Sequence, residues 1–248
     1  MGLLDLPGPL LDWLDAALSH VITAPGLRLA LWGAAGAVVS MALYWALSPQ
    51  ARIARIKSEA LAARQRLEAY DGAFADAWPL IGRMLRLSLR QLAVVTWPAV
   101  LASLPVLCLI VWLSTAYGHS FPAADQPVEA RAFPPPHQAR LINGHDPRPG
   151  QEGAPAHLEI ADAAGRTIGD LDLAVPVSTV HKREWWNALI GNPAGYLPEE
   201  WPVERVEIDL PRTEYLPFGP WWLRSWEAVF FGTLLACSVA IKLAFRIQ

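Results

Sequence analysis

Three long runs of apolar residues divide the sequence and predict three membrane-spanning helices. The runs extend over Leu27 to Leu47, Leu92 to Tyr117 and Trp226 to Phe245. A hydrocarbon core of about 30 Å requires about twenty helical residues, a length that all three runs reach. Charged side chains within them, Arg28 and Glu227 among them, lie near their ends. The pattern predicts an α-helical integral membrane protein.

The residues before the first run follow a helical period. In "LLDWLDAALSHVI" the apolar residues recur on one side of a helix. These residues are Leu10, Leu11, Leu14, Leu18 and Val21. A short helix with one apolar side lies in the plane of the membrane surface. We therefore predict an interfacial helix within residues 1–26.

The segment between the first and second runs has the pattern of a helical hairpin. Apolar and small residues recur in steps of three and four from Ile53 to Tyr70, the spacing of a coiled-coil seam. Asp71 and Gly72 predict a helix end, and a second periodic set leads from Phe74 into the second span. The segment is much longer than a connection needs. Residues 48–90 are thus predicted to form an antiparallel coiled-coil hairpin.

The segment between the second and third runs predicts a small β-rich domain. Its first part, including "FPAADQPVEARAFPPPHQ" and "NGHDPRPGQEGAP", is rich in proline and predicts loop or extended linker. Alternation in "AHLEIADAAGRTIGDLDLAVPV" around a glycine predicts a β-hairpin, and "VERVEIDLP" predicts a further strand. "REWWNALIG" predicts a short helix. A domain this small is expected to lean on the membrane or on a partner.

Charge predicts the orientation of these elements. Residues 48–90 carry eight basic and four acidic side chains, whereas residues 118–225 carry nine basic and fifteen acidic ones. Basic short loops remain in the cytoplasm. We therefore predict a cytoplasmic hairpin and C-terminus, with the N-terminus and the β-rich domain outside, in the bacterial cytoplasmic (inner) membrane. The predicted segments are an outer interfacial helix (1–26), the first span (27–47), the cytoplasmic coiled-coil hairpin (48–90), the second span (91–117), the outer β-rich domain (118–224) and the third span (225–246).

Candidate chemistry is sparse. The histidines lack the spacing of metal ligands, and we find no nucleophile–base set, phosphate-binding loop or paired-carboxylate motif. Cys108 and Cys237 both fall within predicted spans and are interpreted as packing residues. The sequence therefore predicts a protein that is not an enzyme, with no catalytic residues, cofactor or metal.

Tryptophans and two opposite charges mark the predicted outer surface. In "FGPWWLRSWE", Trp221, Trp222 and Trp226 predict an interfacial belt, where indole rings sit among lipid headgroups. Exposure of the Trp185–Trp186 pair would instead indicate a binding surface. Arg28 and Glu227 are candidates for an ion pair at the outer surface, although separate snorkelling to water is the interpretation that we favour.

Two stretches carry a resemblance to a known family. They are "YWALSPQARIARIKSEALAARQRL" and "VVTWPAVLASLPVLCLIVWLSTAY", the second with Pro98 and Pro105 inside it. Their order resembles the three-span core of the YidC/Oxa/Alb insertase superfamily, above all the archaeal members and the coiled-coil subunit of the endoplasmic reticulum membrane protein complex. The resemblance covers residues 1–117 and, more loosely, 226–248. Topology carries more of it than any motif does.

The resemblance implies a hydrophilic groove between the spans and a hairpin that contacts a partner. The groove candidates are Ser40, Thr96, Ser103, Thr233 and Ser238, each of which could instead bond its own helix backbone. The candidate contact residues of the hairpin are Arg52, Arg55, Lys57, Arg64 and Arg66. The sequence departs from the family pattern because its first span has no central arginine and because residues 118–220 form a large insert.

Two functions follow as expectations. The first is an insertase- or chaperone-like protein that assists insertion or assembly of hydrophobic segments, with lipids, nascent membrane proteins and the ribosome as candidate partners. The alternative is a non-catalytic scaffold subunit of a membrane assembly. In either case the β-rich domain could bind an outside protein, and no specific nucleic acid is expected. Gly33, Gly36 and Ser40 favour a packed seam between the spans, whereas Pro98 and Pro105 favour an opening.

Overall fold

A computed structural model describes residues 2–72, 74–122, 128–142 and 156–245, without the side chains of residues 50, 52 and 74–77. The chain forms two compact units. The first comprises Met1–Trp32 and Leu107–Gly232, and the second comprises Gly33–Val106 and Thr233–Gln248. The long helices pass from one unit into the other.

The helices agree with the three apolar runs. Their bounds are Gly8–Ser19 (α1), Pro25–Leu47 (α2), Gln50–Glu68 (α3), Phe74–Ala116 (α4), Trp221–Arg224 (α5) and Trp226–Phe245 (α6). A 3-10 turn, Leu3–Asp5, precedes α1. Within the residues that the structure describes, three segments are long and apolar enough to cross a membrane, namely α2, residues Trp78–Ala116 of α4, and α6. Three potential spans are therefore present as helices.

The predicted break at Asp71 and Gly72 is confirmed, since α3 ends at Glu68 and α4 begins at Phe74. Of the predicted seam of α3, Ile53, Ile56 and Ala63 are buried within the second unit. The α4 helix continues through Pro79, Pro98 and Pro105. Two helices are thus present over the predicted segment, while their pairing as an antiparallel coiled coil stays a prediction.

The β-rich domain is a six-stranded antiparallel sheet in the order β4-β3-β2-β1-β6-β5. The strands are Glu129–Phe133 (β1), Gln138–Ile142 (β2), Ala156–Ala161 (β3), Thr167–Leu173 (β4), Thr179–His181 (β5) and Arg205–Ile208 (β6). The predicted hairpin is confirmed as β3 and β4, with Gly165 at φ +77° in the turn. The predicted short helix is the 3-10 turn Trp185–Ala188.

The prediction of an extended linker was wrong for residues 129–133 and for Gln138, where β2 begins. Here β1 and β2 pair with each other, with Glu129 opposite Arg140, and β1 also pairs with β6. The prolines at positions 134–136 fall between the two strands, where a missing N–H breaks no ladder bond. Residues 123–127 and 143–155 of the predicted linker lie outside the described part of the chain.

The core of the domain lies on one face of the sheet. In β3 the side chains of Ala156, Leu158 and Ile160 are buried, while those between them are only partly covered. This alternation follows from the two-residue period of a strand. Val206 and Ile208 of β6 contribute to the same cluster. The domain therefore has its own apolar core.

We expect Leu158→Ala to destabilise this domain, since Leu158 is fully buried in the cluster. A buried Leu→Ala substitution costs about 2–5 kcal/mol of unfolding free energy because it leaves a cavity. Thermal unfolding of the detergent-solubilised protein measures the change. The control is Arg140→Ala, at an exposed position of β2, with an expected change within about 0.5 kcal/mol. Equal losses in both variants would contradict this description of the core.

Candidate functional site

The α1 helix presents three different faces within the first unit. Leu11 is buried, with Leu14 and Leu18 partly covered beside it. Asp12 and Asp15 lie on a second face, which lines a cavity. The prediction of an interfacial helix with one apolar side stays a prediction. Of its five residues, Leu10 is exposed on the third face, and Val21 is exposed beyond the end of the helix.

The carboxylate of Asp15 is the centre of a hydrogen-bond network. Its Oδ1 accepts a bond from Trp32 Nε1 at 2.9 Å and from the Tyr117 hydroxyl at 2.5 Å. Arg28 Nε lies 3.6 Å from the same oxygen. Asp15 and Arg28 are both largely buried, with 18% and 13% of their side chains exposed. Such a charge needs this many partners because burial removes its water.

Asp12 binds the end of α4 in a similar way. Its Oδ1 accepts a bond from Trp112 Nε1 at 2.7 Å. The rings of Trp32 and Trp112 meet edge to face, with centroids 5.1 Å apart. Each indole thus packs its ring against the other and donates its N–H to a carboxylate of α1, which satisfies both ends of an amphipathic side chain.

Arg28 has a different partner from the one that the sequence suggested. Its carboxylate contact is Asp15, and its Nη1 also donates to the Ile22 carbonyl at 3.3 Å. Among the residues that the structure describes, Glu227 forms no ion pair. Asp15 replaces Glu227 as the partner because the connection between α1 and α2 is short, which places Asp15 beside the first turn of α2.

Hydrogen bonds extend this network to the β-rich domain. The Tyr215 hydroxyl donates to the Tyr117 carbonyl at 2.8 Å, and Ser120 N donates to the Pro211 carbonyl at 3.1 Å. Burial raises the pKa of Tyr215, so its hydroxyl keeps its proton at neutral pH. Asp5 Oδ2 accepts from the backbone N–H of Gly191 at 2.7 Å.

These contacts border an open cavity of about 780 Å³ within the first unit. Its volume falls within the range of about 300–1,000 Å³ that is typical of ligand sites. The charged groups of its lining are Asp5, Asp12, Asp15 and Arg28, with His119 beside them. The aromatic groups are Trp112, Tyr117, Tyr196 and Tyr215. Three carboxylates against one guanidinium, next to aromatic faces, suit a cationic group.

His119 at the cavity wall is an uncharged group at neutral pH. Burial lowers the pKa of its imidazole, and the nearby Arg212 lowers it further, while Glu227 acts in the opposite direction. The backbone of His119 bridges to that of Arg212 in antiparallel fashion. His119 therefore adds no positive charge to the cavity at pH 7.

Three of the predicted groove residues have backbone hydrogen bonds. Ser40 Oγ donates to the Ala102 carbonyl of α4 at 2.8 Å, which joins α2 to α4. Thr96 and Ser103 instead donate to carbonyls of their own helix, those of Leu92 and Val100. Thr233 and Ser238 are partly buried in α6.

The basic side chains of the hairpin are available at the surface. Arg55, Lys57, Arg64 and Arg66 are exposed on α3, and Arg64 pairs with Glu68 at 2.8 Å. The side chain of Arg52 lies outside the described residues. These exposed charges are free to meet water, lipid headgroups or another molecule.

The three tryptophans of the predicted interfacial belt differ in exposure. Trp221 and Trp222 are exposed, whereas Trp226 is only 6% exposed and packs against Phe230. Trp226 opens α6 and turns its ring inward, so it belongs to the core of the first unit.

A group of possible metal ligands also appears where the spacing of the sequence predicted none. His157, Asp170 and Asp172 bring ligand atoms within 4.8 Å of one another. They are adjacent because β3 and β4 pair His157 with Asp172. The side chains of His157 and Asp172 contact each other as a cross-strand pair, and both carboxylates are exposed. That pair accounts for the arrangement.

Comparison of the chain with protein-family models, with curated proteins and with solved structures finds no match. The resemblance to the insertase superfamily therefore remains a prediction from the order of the elements.

Sequence reasoning missed the cluster of Asp12, Asp15, Trp32 and Trp112. A signal was present, since the two aspartates are three residues apart and share one face of a helix predicted to lie at the membrane. Two carboxylates in so apolar a setting require hydrogen-bond donors. Which donors they find depends on the fold.

We expect Asp15→Asn to destabilise the first unit, because it leaves Arg28 without its counter-charge while keeping the shape of the side chain. A hydrogen bond to a charged group contributes about 1.5–3 kcal/mol, and the loss should be of that size. Thermal unfolding in detergent measures it. Glu214→Gln, which breaks the exposed pair with Arg224, is the matched control and should cost at most about 1 kcal/mol. A control loss as large as that of Asp15→Asn would argue against the network.

The lowered pKa of His119 predicts how the stability of the folded protein changes with pH. Because its pKa is lowered in the folded protein, the unfolded state binds the proton more readily, and stability falls as the pH drops below 6.5. The slope from one such group is at most about 1.4 kcal/mol per pH unit.

We therefore expect His119→Gln to lose less stability than the unaltered protein between about pH 7 and about pH 5, the range in which histidine titrates. His20→Gln, which replaces an exposed histidine, is the control and should follow the unaltered protein. Unfolding curves recorded at each pH measure the difference. Identical pH profiles for all three proteins would contradict the burial of His119.

Proposed function

We propose that this protein is a non-catalytic scaffold subunit of a membrane assembly, and that its cavity beside α1 receives a cationic segment of a partner protein. One observation carries the proposal. The cavity has carboxylates that are already held in place by hydrogen bonds to Trp32, Tyr117 and Trp112. Groups fixed before binding lose little freedom when a partner arrives.

The free oxygens of these carboxylates indicate what the partner carries. The described contacts of Asp12 and Asp15 all involve Oδ1, so within the described residues Oδ2 of each retains its capacity to accept. A lysine or arginine side chain could donate to these oxygens and lie against the aromatic rings of the cavity wall. A peptide segment with such a side chain therefore fits the chemistry of the site.

The hydrogen bonds of the spans support a scaffold rather than an insertase. Ser40 is bonded to the backbone of α4, and Thr96 and Ser103 are bonded to their own helix. Hydroxyls that are satisfied in this way offer little to a polar segment crossing the bilayer. Buried Gly33, Gly36 and Ala37 in α2 suit close helix packing.

The exposed length of α6 supports the same proposal. Gly232, Ala236 and Ala240 recur every four residues and are exposed. Small residues at this spacing allow another helix to approach closely in a membrane. A partner with a spanning helix could therefore contact α6.

The second candidate function is the insertase- or chaperone-like role. The observation that favours it is the exposed basic surface of α3, formed by Arg55, Lys57, Arg64 and Arg66. Such a surface can meet the ribosome or anionic lipid. Under either proposal the excess of basic side chains in residues 48–90 over residues 118–225 supports a cytoplasmic location of α3 in a bacterial cell. The cavity is then proposed to lie on the outer side of the inner membrane.

Site-specific photo-crosslinking in native membranes tests the proposal. A photoreactive amino acid replaces Tyr196 in the cavity, Leu61 on α3, or exposed Arg140 on β2 as a control. A scaffold should give one or two stoichiometric protein adducts from position 196. Asp12→Asn should reduce their yield about tenfold, which corresponds to about 1.4 kcal/mol of binding free energy.

The other outcomes decide against the scaffold. Adducts with many newly made membrane proteins from position 61, without a stoichiometric adduct from position 196, would support insertion. A yield from position 196 no higher than that from position 140 would contradict a partner in the cavity. Asp162→Asn, which removes a partly exposed charge in the β3–β4 turn, is the charge-matched control for Asp12→Asn.

A further inference from the structure

The third face of α1 is apolar and exposed. Leu10 and Trp13 lie on this face, and Leu6 precedes the helix at the same spacing, with 59%, 66% and 66% of their surface exposed. The aspartates of the same helix line the cavity instead. A helix on the surface of a water-soluble protein has the opposite arrangement, with its apolar stripe inward.

A turn of the β-rich domain extends this surface. Leu4 N donates to the Leu189 carbonyl at 2.9 Å, and Asp5 Oδ2 accepts from Gly191 N. The approach is so close that a Cβ on Gly2 would lie 2.6 Å from Gly191 N. Beside this junction Trp185 is 87% exposed. The apolar patch so defined comprises Leu3, Leu6, Leu10, Trp13, Trp185, Trp186, Leu189 and Ile190, all of them exposed.

The turn holds its part of the patch rigidly. The buried Asn187 accepts from Glu184 N at 2.7 Å and donates to the Ile190 carbonyl at 3.1 Å. Trp186 packs on His181, with ring centroids 5.0 Å apart. These contacts fix the turn, and Trp185, the neighbour of Trp186, is exposed at its surface.

The patch is continuous in the chain with a potential span. Only residues 20–24 separate α1 from α2, which is long and apolar enough to cross a membrane. Scattered exposed apolar residues are ordinary, but exposed leucines and tryptophans gathered on two segments that are hydrogen-bonded to each other mark an interaction surface. Tryptophan is also enriched where a protein meets the headgroup region.

We propose that the apolar patch inserts into the headgroup region of the membrane that the helices span, so that the β-rich domain rests on the bilayer. The occupant of the patch is lipid. The two sides of α1 then have separate roles, since the carboxylates face the cavity while Leu6, Leu10 and Trp13 face the bilayer. This inference is independent of what the cavity binds.

Spin-label accessibility in the full-length protein tests the proposal. Cys108 and Cys237 are replaced by serine, and single labels are attached through Leu10→Cys, Trp185→Cys or, as a control, Ala163→Cys in the exposed β3–β4 turn. The protein is reconstituted in vesicles of phosphatidylethanolamine and phosphatidylglycerol. Labels at 10 and 185 should collide with oxygen more often than the control label. Their collisions with a water-soluble nickel chelate should be about tenfold rarer, as expected for insertion of about 5–10 Å.

Two results would overturn the proposal. Nickel collisions at 10 and 185 equal to those at 163 would mean that the patch lies in water. Exclusion of both oxygen and nickel would mean that protein covers it. Because positions 10 and 185 are exposed, labelling should leave the thermal unfolding in detergent unchanged, and only variants that pass this check are compared. Wild-type-like unfolding with nickel-accessible labels counts against the proposal.

Discussion

The carboxylate of Asp15 joins the elements of the first unit. One oxygen accepts from the first turns of α2 through Trp32 and from the end of α4 through Tyr117, and it lies beside the Arg28 guanidinium. The Tyr117 carbonyl in turn accepts from Tyr215. A partly buried charge cannot be left without partners. This requirement brings α1, the two helix ends and the flank of the β-rich domain together.

The same requirement sets the orientation of α1. With Asp12 and Asp15 held by Trp112, Trp32 and Tyr117, the polar face of the helix lines the cavity. The opposite face then presents Leu10 and Trp13 outward. The acidic cavity and the apolar patch are thus two consequences of one helix orientation, and each suits a different contact, a cation on one side and lipid on the other.

Hydroxyl groups in the spans separate the two proposed functions. An insertase needs polar groups that a passing segment can use, because an unsatisfied group costs free energy in hydrocarbon. In this protein Ser40, Thr96 and Ser103 already have backbone partners. Within the described part of the chain, Oδ2 of Asp12 and of Asp15 has no such partner, and both residues line the cavity of the first unit. This distribution of satisfied and available groups is what leads us to propose a scaffold.

The sequence by itself determined the features that depend on local periodicity. Runs of apolar residues predicted the three potential spans, the 3–4 spacing from Ile53 predicted the buried side of α3, and alternation around Gly165 predicted the hairpin of β3 and β4. Local pattern failed at β1, because the prolines that follow it indicated a linker although they occupy a turn. Only the tertiary structure decided that Arg28 contacts Asp15 and not Glu227, that Trp226 turns inward, and that the faces of α1 divide as they do. Those outcomes depend on which partners distant segments supply to a buried charge or ring, and no local period encodes them.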